Sequence, residues 1–90
     1  MKKFCWNTDK NIKLKNERGV SFEEVEQAIK NGNLLDILQN SQKYPNQFMF
    51  IVCVNHYPCR VPFVENDEEI FLKTIIPDRK LKSYYGDCNE

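Results

Sequence analysis

The stretch Ser21-Phe22-Glu23-Glu24-Val25-Glu26-Gln27-Ala28-Ile29-Lys30-Asn31-Gly32 decides the fold class. Ser21 followed three positions later by Glu24 has the pattern of a capping box, in which the two residues satisfy free backbone donors reciprocally at a helix start. Acidic residues in the first turn also suit the helix dipole. Phe22, Val25, Ala28 and Ile29 recur at helical spacing and define one apolar face, and Asn31-Gly32 ends the helix. A single apolar helix face needs a second layer to cover it, and the rest of the chain supplies strands.

Upstream, Phe4-Cys5-Trp6 reads as a short strand. Thr8 or Asp9 caps a second helix that runs to about Glu17, with only Ile12 and Leu14 as apolar residues and Gly19 placed for a left-handed C-terminal cap. Downstream, Leu34–Leu38 reads as a strand, with a helical turn as the alternative, and Ser41–Asn46 as a Pro45-containing loop. Gln47–Val54 is a strand, Asn55-His56-Tyr57-Pro58 a hairpin connection and Cys59–Val64 the returning strand. Asn66-Asp67 makes a turn into a last strand, Glu69–Ile76, with Phe71, Lys73 and Ile75 on one face and Ile70, Leu72, Thr74 and Ile76 on the other. Pro77-Asp78 breaks that strand, Asp78 caps a short helix from Arg79 to Tyr85, Gly86 ends it, and Asp87–Glu90 frays. The expected fold is α+β in the order β-α-α-β-β-β-β-α. Its sheet is an antiparallel meander with the two N-terminal helices on one face, and residues 1–90 form a single domain.

Hydrophobic residues make up 41% of the 90 residues and charged residues 29%, the balance of a folded domain rather than a disordered one. The formal net charge is zero, so the chain lacks the strongly basic balance of many nucleic-acid-binding domains. Its distribution is uneven: Lys10, Lys13, Lys15 and Arg18 cluster early, Lys73, Arg79, Lys80 and Lys82 late. The early cluster lies on a helix that is polar almost all round. That helix is either a solvated surface or a face for RNA backbone or a protein partner.

No apolar window approaches the ~20 residues of a spanning helix, and Met1–Asn7 carries two lysines but no apolar core of a signal peptide. A cytoplasmic chain without membrane contact is expected. Cysteines 5, 53, 59 and 88 contain no C-x-x-C pair, and reduced thiols are the expectation in that compartment. Cys53, His56 and Cys59 form C-x-x-H-x-x-C, but the spacing spans a tight hairpin and a fourth zinc ligand would have to be Cys88 or a remote acid. A buried strand cysteine is more often a small hydrophobe, so no cofactor is expected. A Cys53–Cys59 cross-strand disulfide fits the hairpin but not a reducing compartment.

Phe4-Cys5-Trp6-Asn7, then Lys10 and Asn11, then Gly19-Val20-Ser21-Phe22-Glu23-Glu24 resembles the opening of BrnT-like toxins. The end is similar more loosely, with Arg79-Lys80 opening a short helix that carries tyrosine near its end. The resemblance implies a RelE-like fold and a type II toxin–antitoxin function, with RNA as substrate. It also implies a small DNA-binding antitoxin as partner, in a complex that can be dimeric. The alternative is a non-catalytic protein-binding module of the same fold.

RNA cleavage without metal needs a base for the 2′-hydroxyl, a cation for the phosphorane and an acid for the leaving 5′-oxygen. Arginine suits the phosphate because its planar fork donates two parallel hydrogen bonds. The resemblance carries this role to Arg79. Lys73, Arg60 and Tyr84 complete the catalytic candidates, and Lys80, Lys82 and Tyr85 are candidates for binding flanking RNA. Against these stand plainer roles: solvated lysines, Arg60 paired with Glu65 or Glu69 across a hairpin, and packing for one of the adjacent Tyr84 and Tyr85.

Overall fold

A computed structural model describes residues 2–41, 44–86 and 88. The elements run β1 (Lys3–Trp6), α1 (Thr8–Arg18), α2 (Phe22–Lys30), β2 (Leu34–Ser41), β3 (Tyr44–Val54), β4 (Tyr57–Glu65), β5 (Glu69–Leu72) and β6 (Ile76–Pro77). A 3-10 turn (Arg79–Leu81) and α3 (Lys82–Tyr85) follow. The strand order is β1-β5-β4-β3-β2, with β6 also paired to β4. The α+β class is as expected, but the sheet is mixed. β2 to β6 pair antiparallel, whereas β1 runs parallel to β5, Cys5 opposite Phe71. Short turns between consecutive strands give no signal of this pairing. The α1–α2 crossover carries the chain from β1 to the far edge, and the meander then returns to it.

Each helix begins and ends for a visible reason. Asn7, not Thr8 or Asp9, caps α1, its Oδ1 accepting from Lys10 N–H at 2.9 Å. Gly19 closes α1 at φ 69°, donating to the Lys15 carbonyl. Ser21 caps α2 by accepting from Glu24 N–H at 3.2 Å. The return arm of the expected capping box differs: Glu24 Oε1 accepts from the Ser21 hydroxyl, and its Oε2 accepts from Asn55 Nδ2 at 2.7 Å, pinning the β3–β4 turn to the start of α2. On α1, Leu14 is buried as expected, while Ile12 is exposed and Asn11 takes the inward position. Asn11 donates to Glu23 Oε1 at 2.6 Å and accepts from the Phe22 N–H at 2.8 Å, satisfying a donor that α2 leaves open. The same hydrogen bond from Asn11 holds the Glu23 carboxyl below its ordinary range.

The core lies between the helices and one sheet face. Leu14, Phe22, Val25 and Ala28 meet alternate residues Phe50, Val52 and Val54 of β3 and Cys59, Val61 and Phe63 of β4. Trp6 stacks on Phe22 with ring centres 5.7 Å apart, and Phe50 on Phe63 at 3.9 Å. The intervening residues Ile51 and Cys53 are also fully buried, on the opposite face, under the C-terminal segment that contains buried Leu81 and Cys88.

Three expected boundaries move. The loop placed over Ser41–Asn46 is shorter, because β2 reaches Ser41 and β3 starts at Tyr44; positions 42 and 43 lie outside the described residues. Asn55 and His56 alone form the β3–β4 turn, with φ 54° and 65°, between the paired residues Val54 and Tyr57. Two positive φ values match the twist of a two-residue hairpin, and asparagine tolerates that conformation well. The strand expected over Glu69–Ile76 is split. Leu72 faces Phe63 and Ile76 faces Arg60, so three residues on one side oppose two on β4. The extra residue reverses the alternation and lets Leu72 and Ile75 bury on the same side, both at 0% exposure. Arg18 donates to the Ile75 carbonyl and so ties the end of α1 to this irregular segment. Pro77, expected as a breaker, sits within β6 opposite Cys59.

The cysteines overturn the expectation of four free thiols. Cys53 and Cys88 form a disulfide with Cα atoms 6.0 Å apart, while Cys5 and Cys59 are free. Cys53 is bridged and His56 is exposed on the turn, so the C-x-x-H-x-x-C segment does not bring its three side chains together as a group of ligands among the described residues. Of the expected frayed tail, Asp87, Asn89 and Glu90 lie outside the described residues, and Cys88 is buried. Among the described residues no helix is long and apolar enough to cross a membrane.

Candidate functional site

The sheet face opposite α1 and α2 carries a cleft of about 260 Å³ floored by Leu38, Met49, Ile51 and Leu81 and edged by Arg60, Tyr84 and Tyr85. Arg60 reaches it because β4 alternates: Cys59, Val61 and Phe63 enter the helix-side core, so Arg60 points the other way. Asp78 caps the 3-10 turn by accepting from Lys80 N–H at 2.9 Å. Its second oxygen lies 2.8 Å from Arg60 Nη2, so the Arg60 partner is Asp78 and not Glu65 or Glu69. The segment after β6 is thereby anchored across the strands.

Tyr84 and Tyr85 divide as adjacent helical residues must. Tyr85 is half-buried and its hydroxyl donates to Asp36 Oδ2 of β2 at 2.9 Å. That hydrogen bond raises the pKa of the phenol above the ordinary tyrosine value and favours its protonated form. Tyr84 is 82% exposed at the cleft rim, its ring centre 6.5 Å from that of Tyr85.

The remaining sequence candidates lie around this cleft at different removes. Arg79 and Lys80 are exposed on the 3-10 turn, and the Arg79 side chain makes no hydrogen bond or ion pair among the described residues. Lys82 sits with its Nζ 4.9 Å from the centre of the Tyr57 ring, a cation–π contact. Lys73 is exposed beside β4, donating its N–H to the Pro62 carbonyl at 2.8 Å, and does not line the cleft. The structure therefore groups Arg60, Tyr84 and Tyr85 in one cleft, sets Arg79, Lys80 and Lys82 on the segment bordering it, and leaves Lys73 apart. Among the described residues the cleft and its bordering segment carry four cations, Arg60, Arg79, Lys80 and Lys82, with Arg60 paired to Asp78, in a chain that is neutral overall.

Sequence reasoning missed Asp36 and Asp78 as site residues. Asp78 was legible as a helix cap but not as a charge partner, because it lies eighteen positions from Arg60 and meets it only through β6 pairing with β4. Asp36 interrupts an apolar strand, which is a signal of a polar contact, but nothing local identifies Tyr85 as its donor.

A larger hollow of about 670 Å³ lies between β1 and α2, with Phe4, Ile29 and Ile70 in its wall and Lys2, Lys3 and Lys30 at its edge. Two of these lysines are already paired, Lys2 with Glu65 and Lys30 with Glu26.

No protein-family model matches the chain, and neither a curated protein nor a solved structure matches it.

Proposed function

We propose that this chain is the toxin half of a BrnT-like toxin–antitoxin pair and cleaves RNA without a metal ion. The observation that carries this reading is the exposed Arg79, unpaired among the described residues, on the same short segment as Leu81 and the exposed Tyr84 that line an apolar cleft. Phosphoryl chemistry without a metal requires a cation free to follow developing charge. Arg60 is committed to Asp78, so its role is to position the segment, and Arg79 is the phosphate ligand. Tyr84 stacks an unpaired base or gives its proton to the leaving oxygen, a use of aromatic side chains common to single-stranded RNA sites. Lys80 and Lys82 extend the cationic rim for flanking phosphates, Lys73 lies too far from the cleft for the catalytic role expected of it, and Tyr85 acts through its latch to Asp36.

One observation favours the second reading, a non-catalytic binding module held to a protein partner. The cleft lining contains no histidine or free carboxylate that would serve as general base. Induced expression in a bacterial host separates the two. The toxin reading expects growth arrest with fragmentation of total RNA, relieved when the neighbouring small DNA-binding protein is co-expressed. Normal growth and intact RNA with soluble, folded protein would leave the binding module as the account.

A further inference from the structure

We infer that Cys88 is a site of thiol–disulfide exchange with small-molecule disulfides, and that the Cys53–Cys88 bridge it forms is a switch holding the C-terminal segment on the sheet. The regulatory consequence rests on the proposed RNA-cleaving role of that segment; the switch itself does not.

Three observations carry the inference. First, the bridge joins the end of the interior strand β3 to a residue three positions beyond α3, across 35 residues of sequence. The segment between β6 and Cys88 carries Arg79, Lys80, Lys82, Tyr84 and Tyr85. Second, the other anchors of that segment among the described residues include buried Leu81, the Asp78 N–H donating to the Pro58 carbonyl at 3.2 Å, the Arg60–Asp78 pair at 2.8 Å, the Tyr85–Asp36 hydrogen bond at 2.9 Å and the Lys82–Tyr57 contact. The polar contacts are partly exposed and noncovalent, so the covalent tether adds a constraint that they do not supply. Third, the two remaining cysteines are poor competitors. Burial pushes the Cys59 thiol up to about 12, and the Cys5 thiol is raised by donating to Glu69 Oε2 at 2.8 Å.

The exchange balances with glutathione disulfide as oxidant. The Cys88 thiolate attacks one sulfur, releasing one glutathione thiol and leaving a mixed disulfide. The Cys53 thiolate, 6.0 Å away at Cα in the bridged form, then displaces the second glutathione. Both protein protons leave to solvent and protonate the two released thiolates. Both cysteines are buried in the bridged form, at 8% for Cys88 and 1% for Cys53; Cys88 is assigned as the entering thiol because it lies outside the strands, on the segment the bridge holds, while Cys53 is fixed within β3.

The full chain is prepared with glutathione disulfide or with dithiothreitol and digested with trypsin, following cuts after Arg79, Lys80 and Lys82 by mass. The oxidised form is expected to be two hydrogens lighter, free of glutathione adduct, and cut in this segment at least ~10-fold more slowly than the reduced form. Cys88→Ser without reductant is expected to match the reduced form, and Cys5→Ser the oxidised wild type. Equal cutting rates in both wild-type forms, or Cys53 and Cys88 remaining thiols under glutathione disulfide, would overturn the switch. RNA assayed in parallel keeps the two claims apart. A redox-dependent segment with no cleavage in either form upholds the switch and removes the nuclease reading. Equal cleavage with equal digestion removes the switch and upholds the nuclease.

Discussion

Replacing Arg79 by alanine is expected to lower RNA cleavage by about 10²–10³-fold, the loss seen when one transition-state donor is removed. The fold should not notice. Arg79 is exposed at the start of the 3-10 turn, so a surface change there stays within about 0.5 kcal/mol. Arg60 would make a poorer test, because Arg60→Ala strands Asp78, whose side chain is only 18% exposed, and unpins the segment that bears the site. Cleavage rate and thermal midpoint measured together on Arg79→Ala therefore separate chemistry from stability. A variant that cuts at the wild-type rate removes Arg79 from the site.

Phe22→Ala is expected to cost about 3–5 kcal/mol of folding stability, as for other fully buried aromatic residues. Phe22 is 0% exposed, stacks on Trp6 at 5.7 Å between ring centres, and begins the helix that covers the sheet. Its loss also removes the contact that joins β1 to α2. For a domain of this size, where total stability is of order 5–15 kcal/mol, much of the population would unfold near 37 °C. Urea unfolding followed by circular dichroism measures the change. A loss below about 1 kcal/mol would mean that the Trp6–Phe22 stack is not central to the core.

Local signals read correctly where a residue acts on its own neighbours. Ser21 caps α2, Gly19 ends α1, and Asn66 turns the chain into β5 by accepting from the Glu68 and Glu69 N–H groups. What was not legible depends on partners far away in sequence. The parallel pairing of β1 with β5, the Cys53–Cys88 bridge and the Arg60–Asp78 pair each join residues that only the assembled sheet brings together. The split between β5 and β6 escaped for a different reason. The strand-forming run from Glu69 to Ile76 holds no glycine or proline to mark the one-residue irregularity that turns both Leu72 and Ile75 inward. At the site, Arg60, Tyr84 and Tyr85 were all recognised as candidates, but which tyrosine is free depends on Asp36 across the sheet.

The most direct test of the account is incubation of the purified, oxidised chain with 5′-labelled single-stranded RNA in excess EDTA. The account predicts discrete fragments ending in 2′,3′-cyclic phosphate, formed in proportion to protein and absent with Arg79→Ala. Intact RNA over the same period, with the protein folded and its disulfide formed, would contradict it.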